Sequence, residues 1–231
     1  MASELNGTRV AFLTANEGVE QVELTTPWQA VKDAGGTPEL LATRAGQVQG
    51  FNHVDKADTF TVHRSILDAD PLDYSALVLP GGVVNADELR MVPAALTFVQ
   101  RIFEGGKPAA VICHGPWALV EADLVRGRTL TSWPSLRTDI RNAGGNWVDA
   151  EVQVCASGPN TLVTSRMPDD LPAFCAELVK AFQEQALPAQ RLRELQGSQG
   201  LPGLPGPVTG TMWQHAGYNR FDVTSCRFVS A

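Results

Sequence analysis

The sequence predicts an α/β fold with a mostly parallel sheet that is covered by helices on both faces. Near-continuous apolar runs of strand length lie at residues 9–15, 74–79 and 107–112, and helix-like segments separate them. Strands that are apolar on both faces are typical of a parallel sheet between two helical layers. The chain has 231 residues, of which 44% are hydrophobic and 19% charged, so it is long enough for one such domain with an appendage.

The first part of this fold is predicted before residue 70. An apolar strand at 9–15 leads into a helix that ends at Gly36, and residues 38–43 form a second strand. Residues 47–70 are expected to form shorter, more polar excursions. This part therefore supplies two strands and one helix of the sandwich.

The second part repeats the alternation and ends in an amphipathic helix. The predicted strands lie at 74–79, 107–112, 128–132, 147–156 and 160–165, and the predicted helices lie at 93–103, from 116 to about 123, at 135–143 and from 168 to about 185. The last two strands are separated by Ser157-Gly158-Pro159, which is typical of a hairpin turn. The apolar residues of the final helix recur at helical spacing, so one of its faces is expected to be buried.

Residues 8–185 are therefore predicted to form one domain, and residues 186–231 a poorly ordered C-terminal extension. After Gln185 the composition changes to Gln, Gly and Pro, and a glycine recurs at every third position only from Gly200 to Gly206. Three such repeats are too few for a collagen helix. No chemistry is assigned to this extension.

The charge balance and the N-terminus exclude several classes of partner. The formal net charge is −7 and no basic stripe offsets it, which argues against a nucleic-acid partner. The N-terminus shows no basic stretch followed by an apolar segment, and no run reaches the ~18 apolar residues of a membrane span. We therefore expect a cytoplasmic protein that has no membrane partner.

The cysteine spacing and the missing nucleotide motifs predict neither a metal nor a cofactor. The four cysteines, Cys113, Cys155, Cys175 and Cys226, lie far apart without a C-x-x-C pair, so reduced thiols are expected. The sequence lacks G-x-G-x-x-G, G-x-x-x-x-G-K-[ST] and H-E-x-x-H. Dinucleotide, nucleoside triphosphate and zinc-protease functions therefore lack their main signals.

The most informative stretch is 110–117, Ala-Val-Ile-Cys-His-Gly-Pro-Trp. An apolar strand runs directly into Cys113 and Pro116 opens a helix, which is the pattern of a nucleophile elbow. Such a turn places the side chain at the carboxyl ends of the strands, where ligands of α/β sheets bind. The helix start favours negative charge and predicts that the pKa of Cys113 is lowered. The pattern therefore predicts a reactive thiolate at Cys113.

Two of the other cysteines and two histidines are given structural interpretations. Cys155 lies inside a predicted strand and Cys175 on the apolar face of the last helix, and both are interpreted as small buried hydrophobic residues. His53 and His63 lie in the polar segment and are interpreted as surface or structural residues.

Two further groups are expected at the same edge of the sheet as Cys113. Gly81 and Gly82 end the strand at 74–79, so their backbone N–H groups are candidates for an oxyanion hole. Three carboxylates at positions 17, 20 and 23 crowd the first strand-to-helix connection. One of them, facing Cys113 in an apolar pocket, would have a raised pKa and would donate a hydrogen bond to the thiolate.

With these features in place, the sequence resembles the PfpI (intracellular protease) branch of the superfamily that includes the parkinsonism-associated deglycase and the class I glutamine amidotransferase domains. The resemblance covers residues 8–184 and implies a flavodoxin-like three-layer sandwich. It rests on the segments 13–17, 22–24, 79–82, 112–116, 124–128, 142–149 and 165–166.

The resemblance also implies roles for individual residues. Cys113 is the nucleophile and His114 is the adjacent acid/base. Glu23 corresponds to a buried glutamate that hydrogen-bonds the cysteine. Asp87 corresponds to an acidic residue that a neighbouring subunit contributes, with Glu88 as the alternative. These roles imply a homodimer or a larger homo-oligomer whose active site is shared between subunits.

Two features depart from the family pattern. One extra residue lies between Asn16 and Glu23, which keeps Glu20 as an alternative to Glu23. The extension after Gln185 has no counterpart in the family.

Amidotransferase activity is not expected, because those domains use a histidine and a glutamate well downstream of the cysteine. Here the only downstream histidine outside the elbow is His215, in the extension.

The implied function is that of a stress-response enzyme that acts on reactive carbonyls such as methylglyoxal, or on their early adducts with proteins and nucleotides. Cys113 would attack the aldehyde, His114 would move the proton, and the N–H groups of Gly82 and His114 would hold the oxyanion. A PfpI-type peptidase is a variant of this hypothesis. The alternative from another class is a non-catalytic oxidation sensor or chaperone, in which Cys113 stops at a sulfenic or sulfinic acid.

Overall fold

The computed structural model of the chain describes residues 4–198, with the backbone alone for residues 186–198. Numbered in chain order, the strands are β1 (Arg9–Thr14), β2 (Glu17–Glu20), β3 (Thr37–Ala42), β4 (Gln47–Asn52), β5 (Asp55–Thr61), β6 (Arg64–Ser65), β7 (Ala76–Leu79), β8 (Ala109–Ile112), β9 (Thr129–Leu130), β10 (Asn146–Trp147), β11 (Val152–Cys155) and β12 (Leu162–Ser165). The helices are α1 (Gln21–Asp33), α2 (Val83–Arg90), α3 (Pro93–Glu104), α4 (Pro116–Glu121), α5 (Arg137–Asn142) and α6 (Leu171–Ser198), and short 3₁₀ turns lie at Ile66–Asp68, Pro71–Asp73, Pro134–Leu136 and Pro168–Asp170.

Seven strands form the central sheet in the order β11-β12-β8-β7-β1-β3-β6. Neighbouring strands are parallel except β11 and β12, which form the predicted antiparallel hairpin. In β7, Leu77 and Leu79 point to one face of the sheet, Ala76 and Val78 point to the other, and all four are buried. Both faces of a strand are therefore apolar, which explains the near-continuous apolar runs in the sequence.

Helices cover both faces of this sheet. The core on one face includes Phe98 and Ile102 of α3 and Leu119 of α4. The core on the other face includes Leu24 of α1 and Phe174 of α6. The predicted three-layer α/β sandwich with a mostly parallel sheet is confirmed.

A small sheet that the sequence pattern did not predict lies beside the sandwich. β2, β4 and β5 form three strands, with β2 parallel to β4 and β4 antiparallel to β5. The excursions predicted after residue 47 therefore contain two strands, β4 and β5, that the sequence pattern did not assign. Most side chains of β5 are exposed, so its sequence carries little apolar alternation from which a strand could be recognised.

The last helix continues beyond the predicted end of the domain. α6 runs to Ser198 and is therefore longer than the helix predicted from 168 to about 185. Residues 199–231, with Cys226 and His215, lie outside the described residues. Within the described range, none of the helices combines the length and the apolar character needed to cross a membrane.

Candidate active site

Cys113 lies in the turn between β8 and α4, at the carboxyl edge of the sheet. Its φ of 59° is in the left-handed region, which costs a non-glycine residue ~1–3 kcal/mol. The Cys113 N–H donates to the Ser165 carbonyl at the end of β12 at 3.0 Å, and the Cys113 carbonyl accepts from the Trp133 N–H at 2.9 Å. Backbone hydrogen bonds from two other segments thus hold the turn, and the predicted elbow is confirmed.

The elbow and the loop after β7 approach each other at glycines. A Cβ atom on Gly81 would lie 2.5 Å from Glu23 Oε2 and 2.6 Å from Cys113 Cβ. A Cβ atom on Gly115 would lie 2.8 Å from the Leu79 carbonyl oxygen. Any side chain at either position would therefore push the two segments apart.

Two backbone donors face the Cys113 sulfur. The N–H groups of Gly82 and His114 are placed to hydrogen-bond the thiolate, and each favours negative charge there. The Gly81 N–H instead donates to Glu23 Oε2 at 2.8 Å. It is not available to a substrate oxygen, contrary to the prediction for Gly81. The contribution of Gly81 is the close approach that its missing side chain permits.

Glu23 lies on the first turn of α1 and is fully buried beside the elbow. Its carboxyl group is within hydrogen-bonding range of Cys113. Burial raises the pKa of Glu23 from its ordinary 4.5 to about 8, although the hydrogen bonds from Gly81 and Cys113 act in the opposite direction. At neutral pH the carboxyl is therefore mostly protonated and can donate to the sulfur.

The thiol of Cys113 does not titrate as the sequence predicted. Burial, followed by the charge of the Glu23 carboxylate, raises the pKa of Cys113, whereas the helix start was expected to lower it. Cys113 is only 6% exposed. The helix α4 has only six residues, so the loss of hydration outweighs its positive end. A protonated Glu23 no longer repels a thiolate at Cys113 and can donate a hydrogen bond to it. A Cys113 thiolate therefore depends on a protonated Glu23.

His114 connects the sulfur to a second wall of the site. Its Nδ1 lies 3.2 Å from Cys113 Sγ, and its Nε2 lies 3.4 Å from Ser135 Oγ. The ring stacks on Trp133 with the centroids 5.9 Å apart, and it packs against Trp117 at 5.3 Å. Burial lowers the pKa of His114 from 6.5 to about 4. The imidazole is therefore neutral at neutral pH and can accept a proton.

Of the two glutamates that the sequence left open, Glu23 contacts Cys113, whereas Glu20 lines the approach to it. Glu20 Oε2 accepts a hydrogen bond from the His53 N–H at 3.1 Å and lies 3.8 Å from His53 Nδ1. The His53 side chain is 83% exposed, as the surface interpretation predicted. Glu20 and His53 therefore form part of the entrance and not of the reacting centre.

Asp87 and Glu88 are exposed on α2, and within the described part of this single chain neither contacts His114. Asp87 Oδ1 accepts from Arg90 Nε at 3.0 Å and from Arg90 Nη2 at 2.7 Å. The Arg90 guanidinium also lies over the Trp117 ring, 4.8 Å from its centroid. Among the described side chains of this single chain, none therefore brings a carboxylate to His114.

Asn85 holds the loop after β7 in place, and sequence reasoning did not single it out. Its Nδ2 donates to the carbonyls of Pro80 and Gly81 at 3.1 and 2.9 Å, and its Oδ1 accepts from the Ala15 N–H at 2.7 Å. The side chain is fully buried and links the ends of β1 and β7. Its only sequence signal is an amide three residues after Gly82.

A cavity of about 490 Å³ opens above the Cys113 and His114 side chains. The rest of its wall comes from Gly18, Glu20, Glu23, Phe51, His53, Val54, Gly82, Val83, Val84, Trp133 and Pro168. This volume suits a small molecule or a single side chain. Among the side chains of residues 4–185, no group of three or more His, Cys, Asp or Glu is placed to hold a metal ion.

Comparison with known sequences gives consistent matches. The model of the DJ-1/PfpI family matches residues 8–181. A deglycase from Pyrococcus horikoshii is 38% identical over 175 residues, which make up 76% of this chain and 99% of that protein. YraA from Bacillus subtilis, named as a candidate cysteine protease, is 37% identical over 169 residues, which make up 73% of this chain and 95% of that protein.

Comparison with solved structures gives the same architecture. A two-domain protein from Anabaena variabilis, with DJ-1/ThiJ/PfpI-like and ferritin-like domains, is 31% identical with a TM-score of 0.68 over 75% of this chain. The chain spans 47% of that protein, about half of its length. DJ-1 from Schizosaccharomyces pombe has a TM-score of 0.65 at 20% identity, over 84% of this chain and all of that one, and supports the fold alone.

Proposed function

The chain belongs to the DJ-1/PfpI family, and on that premise we propose that it is a stress-response enzyme with Cys113 as its nucleophile. Its substrates would be reactive carbonyls such as methylglyoxal, or their early adducts with proteins and nucleotides. Relatives named deglycase support this substrate class. The observation that carries the proposal is the 3.2 Å contact between Cys113 Sγ and the neutral His114 Nδ1 beside a cavity of small-molecule size.

In the proposed first step, the Cys113 thiolate attacks the aldehyde carbon. A carbon–sulfur bond forms, and the π pair of the carbonyl moves to its oxygen. The N–H groups of Gly82 and His114, which face the sulfur, would hold that oxyanion until it takes up a proton. The product is a hemithioacetal.

In the second step, the neutral His114 removes the proton from the former aldehyde carbon and returns it to the neighbouring carbon. For methylglyoxal this transfer converts the hemithioacetal into a thioester of lactate. Water then releases lactate and restores the Cys113 thiol, so the net reaction adds one water to the dicarbonyl. The low pKa of His114, about 4, supports this role because the base is free at neutral pH.

The carboxylate that orients His114 would come from a second copy of the chain. We assign this role to the partner subunit's Asp87, with Glu88 as the alternative, and hence a homodimer or larger homo-oligomer. On the same helix, Val83 and Val84 are about half exposed beside the cavity, an apolar rim that a second subunit would cover. The reduced thiol that this chemistry requires fits a cytoplasmic location.

Two other activities remain as defined alternatives. The name of the YraA relative supports a PfpI-type peptidase. A non-catalytic oxidation sensor is supported by the donors around the sulfur, since the Gly82 and His114 N–H groups and a protonated Glu23 would hold a sulfinate as well as a thiolate. All three functions use the Cys113 thiol, so they differ in what reacts with it: a carbonyl compound, a peptide or an oxidant.

The test incubates the purified protein with methylglyoxal at neutral pH and follows lactate formation, with Cys113→Ala as the inactive variant and Cys175→Ala as the matched control. Lactate should form with wild type and Cys175→Ala, and not with Cys113→Ala. If neither wild type nor the two variants form lactate, while Cys113 of wild type is oxidised selectively by mild peroxide, the result favours the sensor function over the enzyme. Cleavage of a casein substrate that depends on Cys113 would instead favour the peptidase.

A further inference from the structure

Arg128 is a buried cation that forms no ion pair within the described part of the chain. It is 3% exposed, and no Asp or Glu among the described side chains, those of residues 4–185, lies within ion-pair distance of it. Its Nη1 donates to Asn160 Oδ1 at 2.7 Å, and its Nη2 donates to the carbonyls of Asn160 and Cys155. The guanidinium also lies 5.5 Å from the centroid of the Phe103 ring. These partners are neutral, whereas a buried charge is ordinarily paired with an opposite one.

One donor of this cation has no partner. Arg128 Nε is buried and makes no hydrogen bond among the described residues. Gly158 lies close to this nitrogen: a Cβ atom on Gly158 would be 3.3 Å from the Arg128 guanidinium carbon and 3.5 Å from Nε. An acceptor with negative charge would satisfy both the unused N–H and the unpaired charge.

Cys155 lies beside Arg128, whose Nη2 donates to the Cys155 carbonyl at 3.4 Å, and its thiol is a group that can supply this charge. Burial acts to raise the pKa of Cys155, but hydrogen bonds from the Thr129 N–H, the Arg128 side chain and the Ser157 N–H, with the charge of Arg128, lower it overall. As a thiol, Cys155 has only a weak acceptor for its proton, the Ser157 carbonyl at 3.8 Å from Sγ. The surroundings therefore make Cys155 easier to ionise than an ordinary thiol.

We propose that Cys155 is a second reactive thiol, whose thiolate is the counter-ion of Arg128 and which hydrogen peroxide converts to a sulfenate held by the same cation. The thiolate sulfur attacks one peroxide oxygen, the sulfur–oxygen bond forms and the oxygen–oxygen bond breaks. The leaving hydroxide takes the proton of the new sulfenic acid and departs as water. Sulfur is oxidised, peroxide is reduced, and the sulfenate stays negative beside Arg128.

This site is separate from the candidate active site. Cys155 packs in the core on one face of the sheet and Cys113 on the other. Cys155 ends β11, the edge strand of the central sheet, and is itself 5% exposed, but the four residues after it, 156–159, are all exposed. The sulfur therefore lies directly next to an exposed loop at the edge of the sheet. The structural interpretation made from the sequence accounts for the packing of Cys155 but not for the cation beside it.

The test needs no variant at first. The full chain is treated with hydrogen peroxide at neutral pH in the presence of dimedone, which traps sulfenates, and labelling is measured per peptide by mass spectrometry. Cys175 is the internal reference, because it is half-buried on α6 and burial raises its pKa to about 11. Cys155 should be labelled at least ~10-fold faster than Cys175, although it is less exposed. Equal or slower labelling overturns the proposal.

Variants then test the role of the cation. Arg128→Met should slow labelling of Cys155 by at least ~10-fold and leave labelling of Cys113 unchanged, whereas Arg128→Lys should retain most of the wild-type rate. If Arg128→Met does not fold, Asn160→Asp provides the same test, because it gives Arg128 a carboxylate at the Oδ1 position and should also slow Cys155. A Cys155 rate unchanged in the folded variant, Arg128→Met or Asn160→Asp, contradicts the proposal.

Discussion

The Glu23 carboxyl and the Cys113 side chain lie within hydrogen-bonding range of each other in a part of the site that excludes water from both. Burial raises the pKa of both groups, so they cannot both be ionised at neutral pH without a large cost. The protonated carboxyl beside a thiolate satisfies both groups with one hydrogen bond. This coupling connects the packing of α1 against the elbow to the proposed nucleophile.

Glu23→Gln should change how stability depends on pH. In the wild type, Glu23 holds its proton to about pH 8 in the folded chain but only to about 4.5 when unfolded. The unfolded chain therefore loses its proton first as pH rises, and this residue makes stability fall between those two pH values. Glu23→Gln removes that slope, so its free energy of unfolding relative to wild type should rise by up to about 3 kcal/mol between pH 4.5 and 7.

Urea denaturation across this pH range measures the effect, with the exposed Glu121→Gln on α4 as the control. The curve of the control should run parallel to that of wild type. A Glu23→Gln curve that also runs parallel would show that Glu23 is ionised in the folded protein at neutral pH.

Trp133→Ala should move the acid limb of the pH–rate profile. Trp133 stacks on His114 and helps keep water from the imidazole, whose pKa burial lowers from 6.5 to about 4. Without the indole, the pKa of His114 should rise towards 6.5. The kcat/KM of the variant should therefore fall below about pH 6, whereas the kcat/KM of wild type should stay constant there. Trp28→Ala, at the Phe12 and His63 rings, is the control; identical acid limbs in all three proteins would contradict the assignment of His114 as the base.

Gly81→Ala should abolish most of the activity while the protein still folds. The new Cβ would lie 2.5 Å from Glu23 Oε2 and 2.6 Å from Cys113 Cβ, so the Glu23 carboxyl and Cys113 must move away from it. A misplacement of this kind lowers kcat by about 100-fold. Gly127→Ala is the matched control, because its Cβ meets nothing within 4 Å and only its φ of 72° is strained. Steady-state kinetics and urea denaturation of both variants are the measurements; wild-type kcat in Gly81→Ala would show that the close approach is not required.

Mixing two inactive variants should restore activity if the partner subunit's Asp87 completes the site. Cys113→Ala supplies an intact Asp87, and Asp87→Ala supplies an intact Cys113. After unfolding and refolding together, a dimer should recover about a quarter of wild-type activity, because half of the dimers are mixed and each has one complete site. The same mixture with Glu88→Ala tests the alternative carboxylate. If Asp87→Ala alone is fully active, Asp87 does not orient His114.

The fold and the elbow could be predicted from the sequence because their signals are local. The apolar run of β8, Cys113 and Pro116 are consecutive in the chain, and a strand, a sharp turn and a helix follow from their order. By contrast, β4 and β5 could not be recognised, because β5 is mostly exposed and only two positions of β4, Val48 and Gly50, are buried. These strands are set by the pairing of β4 with β2 and β5, which sequence spacing does not show.

The electrostatics of the site could not be predicted from the sequence, because they depend on contacts between distant segments. Trp133 and Ser135 reach His114 from a loop about 20 residues downstream, and Glu23 reaches Cys113 from α1. A helix start next to a cysteine predicts a lowered pKa only where water still reaches the sulfur. The burial that reverses this shift becomes visible only when the segments are packed together.

The most direct test of the account is how Glu23 controls the protonation of Cys113. The ultraviolet absorbance of the thiolate is measured against pH for wild type and Cys113→Ser, and the difference between the two reports Cys113 alone. The same difference is then measured with Glu23→Gln present in both chains. Because an ionised Glu23 raises the pKa of Cys113, the account predicts that the thiolate appears at a lower pH when Gln, which cannot ionise, replaces Glu23. If the onset is unchanged or higher in Glu23→Gln, the two groups are not coupled and the account is contradicted.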